Sequence, residues 1–226
     1  MSTTTTQKYF IRPVHTDDIP ALSRICLLTA EAGQSAESLH KYPELLGFLY
    51  IEPYVKLSPA FGFVLVSGAP ESEGEVVGYF LATPDTRAHE AVAEENHYPP
   101  LRVKYPNDPF PSGATAQDQR VIGRIHNPMI RPQGLVDIVP AHMHINILPQ
   151  AQRQGWGVRL IDTGIQYLRD RGQDGLFLGI DSRNHNARAF YTSIGFKPYP
   201  FPDKEYFYLK FDDWKAVKAG ESETRK

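Results

Sequence analysis

Hydrophobic and polar positions change period several times along this chain, and each change marks an element. "KYFIRPV" (Lys8–Val14) mixes aromatic and branched residues and reads as a strand; "HTDDIPALSRICLLTAEAG" then reads as a helix capped by Thr16 or Asp17 and stopped at Gly33. Glu37 to Lys56 carries Leu45, Leu46, Leu49, Tyr50 and Tyr54 and predicts more helix, broken by Pro43 and Pro53. Phe61–Ser67 and Val76–Thr83 flank the polar "APESEGE" and predict an antiparallel hairpin. Between Pro84 and Pro140, prolines interrupt short helical runs such as "TRAHEAVAEENHY" and "TAQDQRVIGRI", which reads as an inserted lid. The pattern then sharpens into strand His142–Leu148, helix Arg153–Gly172, strand Leu176–Asp181, helix Ala187–Ile194 and a last strand over Glu205–Phe211. A β-α-β unit from residue 142 follows.

Composition narrows the picture. A chain of 226 residues, 41% hydrophobic and 22% charged, suits one domain spanning residues 1–226. A net charge of −2 offers no excess of cations to draw nucleic acid or an anionic membrane. No apolar run approaches the ~18 residues of a membrane span. The lone Cys26 has no internal disulfide partner, and a cytoplasmic setting is the expectation. "MSTTTTQ" and "AGESETRK" are polar and expected to fray.

The stretch that carries chemistry is "HINILPQAQRQGWGVRL" (His144–Leu160). Helix N-termini present unpartnered N–H groups and partial positive charge, and glycines let backbone curl around an anion. Gln152, Gly155 and Gly157 supply that arrangement between a strand and a helix, and Arg153 can add a cation. A tight turn without ligand is the alternative. The P-loop and the dinucleotide fingerprint both fail, since neither Lys-Ser/Thr nor a third glycine follows.

That stretch and "NHNARAFYTSIGF" together resemble the signature of the GNAT superfamily of N-acetyltransferases: (Arg/Gln)-x-x-Gly-x-(Gly/Ala), then Asn-x-x-Ala-x-x-x-Tyr-x-x-x-Gly-Phe. The second pattern falls on Asn184, Ala187, Tyr191, Gly195 and Phe196. The order of elements matches across nearly the whole chain apart from the insert. More narrowly, "AFGFVLV", "GYFLATPDT", "YPPLRVKYP" and "PAHMHINILP" resemble the acetyltransferase-like domain of O-GlcNAc hydrolases and its free-standing relatives, some of which acetylate glucosamine.

The resemblance implies an α/β (α+β) GNAT fold, a mixed, mostly antiparallel sheet with splayed middle strands, flanked by helices and carrying a helical insert at 84–140. It implies acetyl-CoA, with pantetheine against backbone near Ile145 and Ile147 and pyrophosphate ringed by Gln152, Arg153, Gly155, Trp156, Gly157 and Val158. Asn184 would steady the pantetheine amides, with Ala187 beside it in the motif. It implies a small-molecule amine as partner, and a homodimer as in many relatives. Tyr191 matches the tyrosine that protonates the departing thiolate, against a tyrosine merely packed on its helix.

For the base, strand alternation puts Phe177, Gly179 and Asp181 on one face, and an Asp/Tyr pair serves glucosamine-acetylating relatives; capping the turn "DSRN" is Asp181's other reading. His142, His144 and Asn146 share a face. They lack a third metal ligand, so no metal is expected; His144 reads as a substrate contact, a proton relay or a structural histidine, with Asn146 beside it. Tyr98, Tyr105 and Phe110 could offer a sugar platform or simply be core. Cys26 lies in the first helix, away from the motif strands, which disfavours a covalent acetyl-enzyme. The leading expectation is direct transfer to a small amine, preferably an amino sugar. A protein lysine acetyltransferase, which would need an open groove, and a non-catalytic acyl-CoA binder are the rivals.

Overall fold

The chain begins as β1 (Tyr9–Pro13), whose Arg12 pairs through both terminal nitrogens with the Asp18 carboxylate at 2.7 Å. Residues 8–70, 74–202 and 205–214 are described by this computed structural model; the two polar tails lie outside them. Asp18 also accepts the His15 N–H at 2.8 Å, so a 3-10 turn over Thr16–Asp18 starts the helical segment rather than a cap at Thr16 or Asp17. Helix α1 (Ile19–Leu27) stops well short of Gly33. Its last turn is taken by the Thr29 hydroxyl, which donates to the Ile25 carbonyl at 2.7 Å, and Ala32 and Gly33 then reverse the chain with φ of 51° and 91°.

Helices α2 (Glu44–Tyr50) and α3 (Glu52–Lys56) replace one longer run, because Pro53 starts a new helix where an interior N–H is missing. The hairpin forms as expected from β2 (Phe61–Ser67) and β3 (Glu75–Thr83), with a bulge beside Leu65 and Val66. The insert is helical: α4 (Thr86–Asn96), α5 (Tyr98–Lys104), α6 (Ala116–His126) and α7 (Gln133–Ile138). Asp85 caps α4, and Thr115 with Asp118 forms a capping box on α6. The chain then returns through β4 (Ala141–Ile147), α8 (Trp156–Arg169), β5 (Gly175–Ile180), α9 (His185–Ser193), β6 (Lys197–Tyr199) and β7 (Glu205–Lys210). Helix α8 starts later than the expected Arg153, because Arg153 and Gly155 adopt left-handed φ of 59° and 80°. Strand β6, three residues around Pro198, was too short to carry a pattern and exists through its pairing with β7.

All seven strands make one sheet in the order β1-β2-β3-β4-β5-β7-β6, antiparallel except at β4 and β5. Alternation on β3 shows how it is covered. Tyr79 faces α1, where its phenol meets the Cys26 thiol, while Phe80 points to the other side and lies under Gly164 of α8. Leu22, Leu45, Ile51, Leu65 and Leu81 are fully buried, and each such side chain contributes about 1.5–3 kcal/mol. Asp118, also fully buried, ties the insert to the α1–α2 connection, accepting from the Lys41 N–H at 2.9 Å and lying 2.8 Å from His40 Nδ1.

Candidate active site

The parallel ladder between β4 and β5 has two rungs, Ala141 with Leu176 and His142 with Phe177, and then the strands part. On its other edge β4 stays paired with β3 from His142 to Ile147. Leu148 N–H bonds the Val77 carbonyl at 2.8 Å, so by antiparallel alternation the backbone groups of the even-numbered β4 residues bind β3. Those of Met143, Ile145 and Ile147 turn toward the gap. A cavity of about 900 Å³ occupies it, lined by β4 and by Phe177–Asn184, and runs on to the insert. Ile145 and Ile147 therefore stand where the sequence expected backbone to be offered, although the Ile147 carbonyl accepts the Gln152 side chain at 2.7 Å.

Next to this gap lies the turn into α8. Its first intrahelical bond runs from Arg159 N–H to the Gly155 carbonyl at 3.2 Å, which leaves the amides of Trp156, Gly157 and Val158 in the orphan first turn. A methyl group at Gly155 would meet nothing within 4 Å, and one at Gly157 would touch Phe190 at 3.3 Å. Packing leaves room at Gly155, and it is the φ of 80° that requires glycine there. One residue departs from expectation. The Gln152 N–H donates to Pro149 at 3.2 Å, so this residue secures the strand end instead of offering its amide. The Trp156 side chain packs on Tyr9, ring centroids 5.6 Å apart, with the Arg159 guanidinium 4.5 Å over its ring, while its amide stays in the orphan first turn.

Tyr191 enters the same cavity from α9, 6% exposed and enclosed by Phe190, Phe196 and Phe207. Burial pushes its phenol well above the ordinary range, so it stays protonated through neutral pH. Asp181 lines the cavity just past the end of β5, one-third exposed. Its carboxylate is occupied differently from a waiting base. Arg183 contacts it with Nε at 3.0 Å, Nη2 at 2.6 Å and the backbone N–H at 2.9 Å, and these bonds lower its pKa. That is the capping reading of "DSRN", and it makes a weakly basic group. Arg183 also reaches Glu31 at 2.6 Å on the α1–α2 connection, strapping the two sides of the cleft. Asn184 spends its side-chain oxygen on the Ala187 N–H at 3.0 Å, capping α9, while Ala187 and Asn184 both line the cavity.

On the opposite wall, His142 and His144 both reach the Tyr54 hydroxyl, at 2.7 and 3.0 Å. His142 is buried and neutral, its pKa lowered by desolvation and by Arg131. Asn146 bonds the Thr29 hydroxyl rather than projecting toward an acceptor. Of the insert aromatics, Tyr98 lines the cavity, Tyr105 is core with its hydroxyl on Glu44 at 2.8 Å, and Phe110 is an exposed residue. Sequence reasoning missed Tyr54, His89, Glu90, Arg131 and Tyr206, which line the far end. They come from separate elements and share no local motif. Among the described residues no group of three His, Cys, Asp or Glu is arranged to hold a metal, and no helix is long and apolar enough to cross a membrane.

The placement of Cys26 corrects an expectation. It borders the cavity beneath Tyr79 instead of lying remote from the motif strands. Burial pushes its thiol up to about 12, so it remains protonated and is a poor nucleophile. Native protein titrated with a thiol-reactive disulfide at pH 8 should label Cys26 only after denaturation; rapid labelling of the folded chain would contradict this burial.

Comparison with known proteins adds the last observations. Residues 28–196 match the profile of the Acetyltransferase (GNAT) family. A mycothiol acetyltransferase of Rhodococcus jostii is 33% identical over 93 residues, 41% of this chain and 30% of that protein, so the chain spans under a third of the curated relative. A crystal structure of SsHAT superposes with a TM-score of 0.79 at 32% identity, covering 90% of this chain and 98% of that one. A GCN5-related N-acetyltransferase from Kribbella flavida shares the fold, with a TM-score of 0.50 at 15% identity over 89% of this chain and 97% of its own.

Proposed function

This chain belongs to the acetyltransferase (GNAT) family, and on that premise we propose that it acetylates the primary amine of a small molecule, an amino sugar by preference, by direct transfer in a ternary complex. Acetyl-CoA is the acetyl donor of the family and supplies an activated thioester. The residues fit it. The open space over Gly155 and the first-turn amides of Trp156, Gly157 and Val158 suit a diphosphate, with the Arg153 guanidinium as counter-charge. Backbone groups of Ile145 and Ile147 suit pantetheine, and an N–H there suits the developing oxyanion. Tyr191 holds the proton that the thiolate needs.

The observation that carries the small-molecule reading is the wall built by the insert. His89, Glu90, Tyr98, Arg124 and Arg131 of the insert line the cavity with charged and aromatic side chains, which suits a compact polar acceptor better than a peptide. Tyr98 and Tyr206 add flat apolar faces of the sort that sugar rings stack on. The amino-sugar preference rests on the subgroup resemblance of "AFGFVLV", "GYFLATPDT", "YPPLRVKYP" and "PAHMHINILP". The acetyl-enzyme route is disfavoured by the buried Cys26 thiol.

Free thiol released from acetyl-CoA should appear with glucosamine in a panel that also contains polyamines, a mycothiol-type amine and lysine peptides. Release with peptides alone would replace this reading by a protein acceptor. Calorimetric CoA binding without release on any amine would leave a binding module.

A further inference from the structure

The wall opposite Tyr191 contains a chain of hydrogen bonds whose direction is fixed at both ends. The Thr86 hydroxyl lies 2.6 Å from the Pro140 carbonyl oxygen, and a carbonyl has no proton, so the hydroxyl donates there. Its oxygen must then accept from the next partner, His142 Nδ1, at 2.7 Å. Buried and neutral, His142 carries one ring proton, so its Nε2 is an acceptor and takes the Tyr54 hydroxyl proton at 2.7 Å. Tyr54 has spent its proton. Its oxygen accepts from Arg131 Nη2 at 3.2 Å and from His144 Nε2 at 3.0 Å. Neutral His144 is therefore the Nε2–H tautomer, and Nδ1 is the ring's proton acceptor.

We propose that His144 Nδ1 takes the proton of the acceptor amine, and that Thr86, His142 and Tyr54 are positioning residues that hold its tautomer. The proposal deepens the transfer reading and rests on it. His144 lines the cavity on β4, the strand that also offers Ile145 and Ile147, whereas the Asp181 carboxylate is held by Arg183. In the step, the amine nitrogen attacks the thioester carbon and the C–N bond forms. The C–S bond breaks, sulfur takes the Tyr191 proton, and the nitrogen gives one of its own to His144. Solvent then returns that proton from the imidazolium to the tyrosinate, so the amine has lost the one proton that the thiol gained. Among the described residues, the groups facing His144 include Tyr50 of α2, 5.7 Å away ring to ring with Arg124 on its hydroxyl, and Tyr54 of α3 with Arg131 behind it. His142 lies beside it at 6.1 Å, and His89 and Glu90 of α4 sit behind Tyr54 and Arg131.

Two measurements test this. Long-range proton–nitrogen NMR of the wild-type imidazoles should show His144 protonated on Nε2 at neutral pH, with the preference weakened in Tyr54→Phe. His144→Ala should lose about 10²-fold in kcat/KM and its acid limb, regain part of the rate with added imidazole, and keep its CoA affinity. His144→Gln, which can still donate to Tyr54, repeats the test if the alanine variant is unstable. A neutral His144 protonated on Nδ1 overturns the positioning role. An active wild type beside an equally active His144→Ala or His144→Gln overturns the base alone, and a wild type that binds CoA but acetylates no amine overturns the base together with the transfer reading.

Discussion

Replacing Tyr191 by phenylalanine should lower kcat about 10²-fold while CoA binds as in the wild type. The substitution removes one oxygen and keeps the ring that packs on Phe190, Phe196 and Phe207. The fold has no reason to change. What disappears is a phenol that burial holds protonated, on the wall of the gap between β4 and β5. On the proposed reading, the departing thiolate loses its proton donor, and the loss is felt in the chemical step. Thiol-release kinetics set beside calorimetric CoA affinity would separate the two quantities. A variant within about threefold of wild-type kcat would assign the proton to water instead.

The second large effect is on stability. Gly195→Ala should cost about 3 kcal/mol or more and lower the melting temperature by about 10 °C. Gly195 has φ of 104°, where a β-carbon is strained, and an added methyl would overlap the carbonyl oxygen of Asp213. The backbone is pinned there. Gly195 N–H bonds Thr192 at 3.3 Å, and the next N–H, of buried Phe196, bonds Tyr191 at 3.0 Å. Strain at this corner therefore reaches the helix that presents Tyr191. Melting by circular dichroism would check it; a midpoint within about 2 °C of wild type would mean the corner yields easily.

That corner also shows what was readable from sequence. Motifs whose residues are near neighbours were legible, because one turn or one helix fixes their relation. Asn184, Ala187, Tyr191 and Gly195 work as a cap, a contact, an inward tyrosine and a sharp exit. The hairpin of β2 and β3 was legible for the same reason. Helix α1 was read too long because a single threonine hydroxyl competes for its last carbonyls, a contest that propensity does not register. Asp181 was read as lying beside the gap, and it lines the cavity, but its partner Arg183 was not foreseen, although two positions separate them. Least visible was the far wall. Tyr54, Thr86, Arg131 and His142 come from α3, the start of α4, the α6–α7 connection and β4, and only the closed fold brings them together.

The two ends of the insert meet. Thr86 donates both its N–H and its hydroxyl to the carbonyl of Pro140, 54 positions away. An excursion closed at its neck adds little loop entropy to the folding of the sheet, since closure cost grows only logarithmically with length. Helices beyond that neck can thus be lengthened, shortened or exchanged in evolution as a cassette. On the proposed reading, such an exchange would retune which amine is admitted and leave the parted strands as they were.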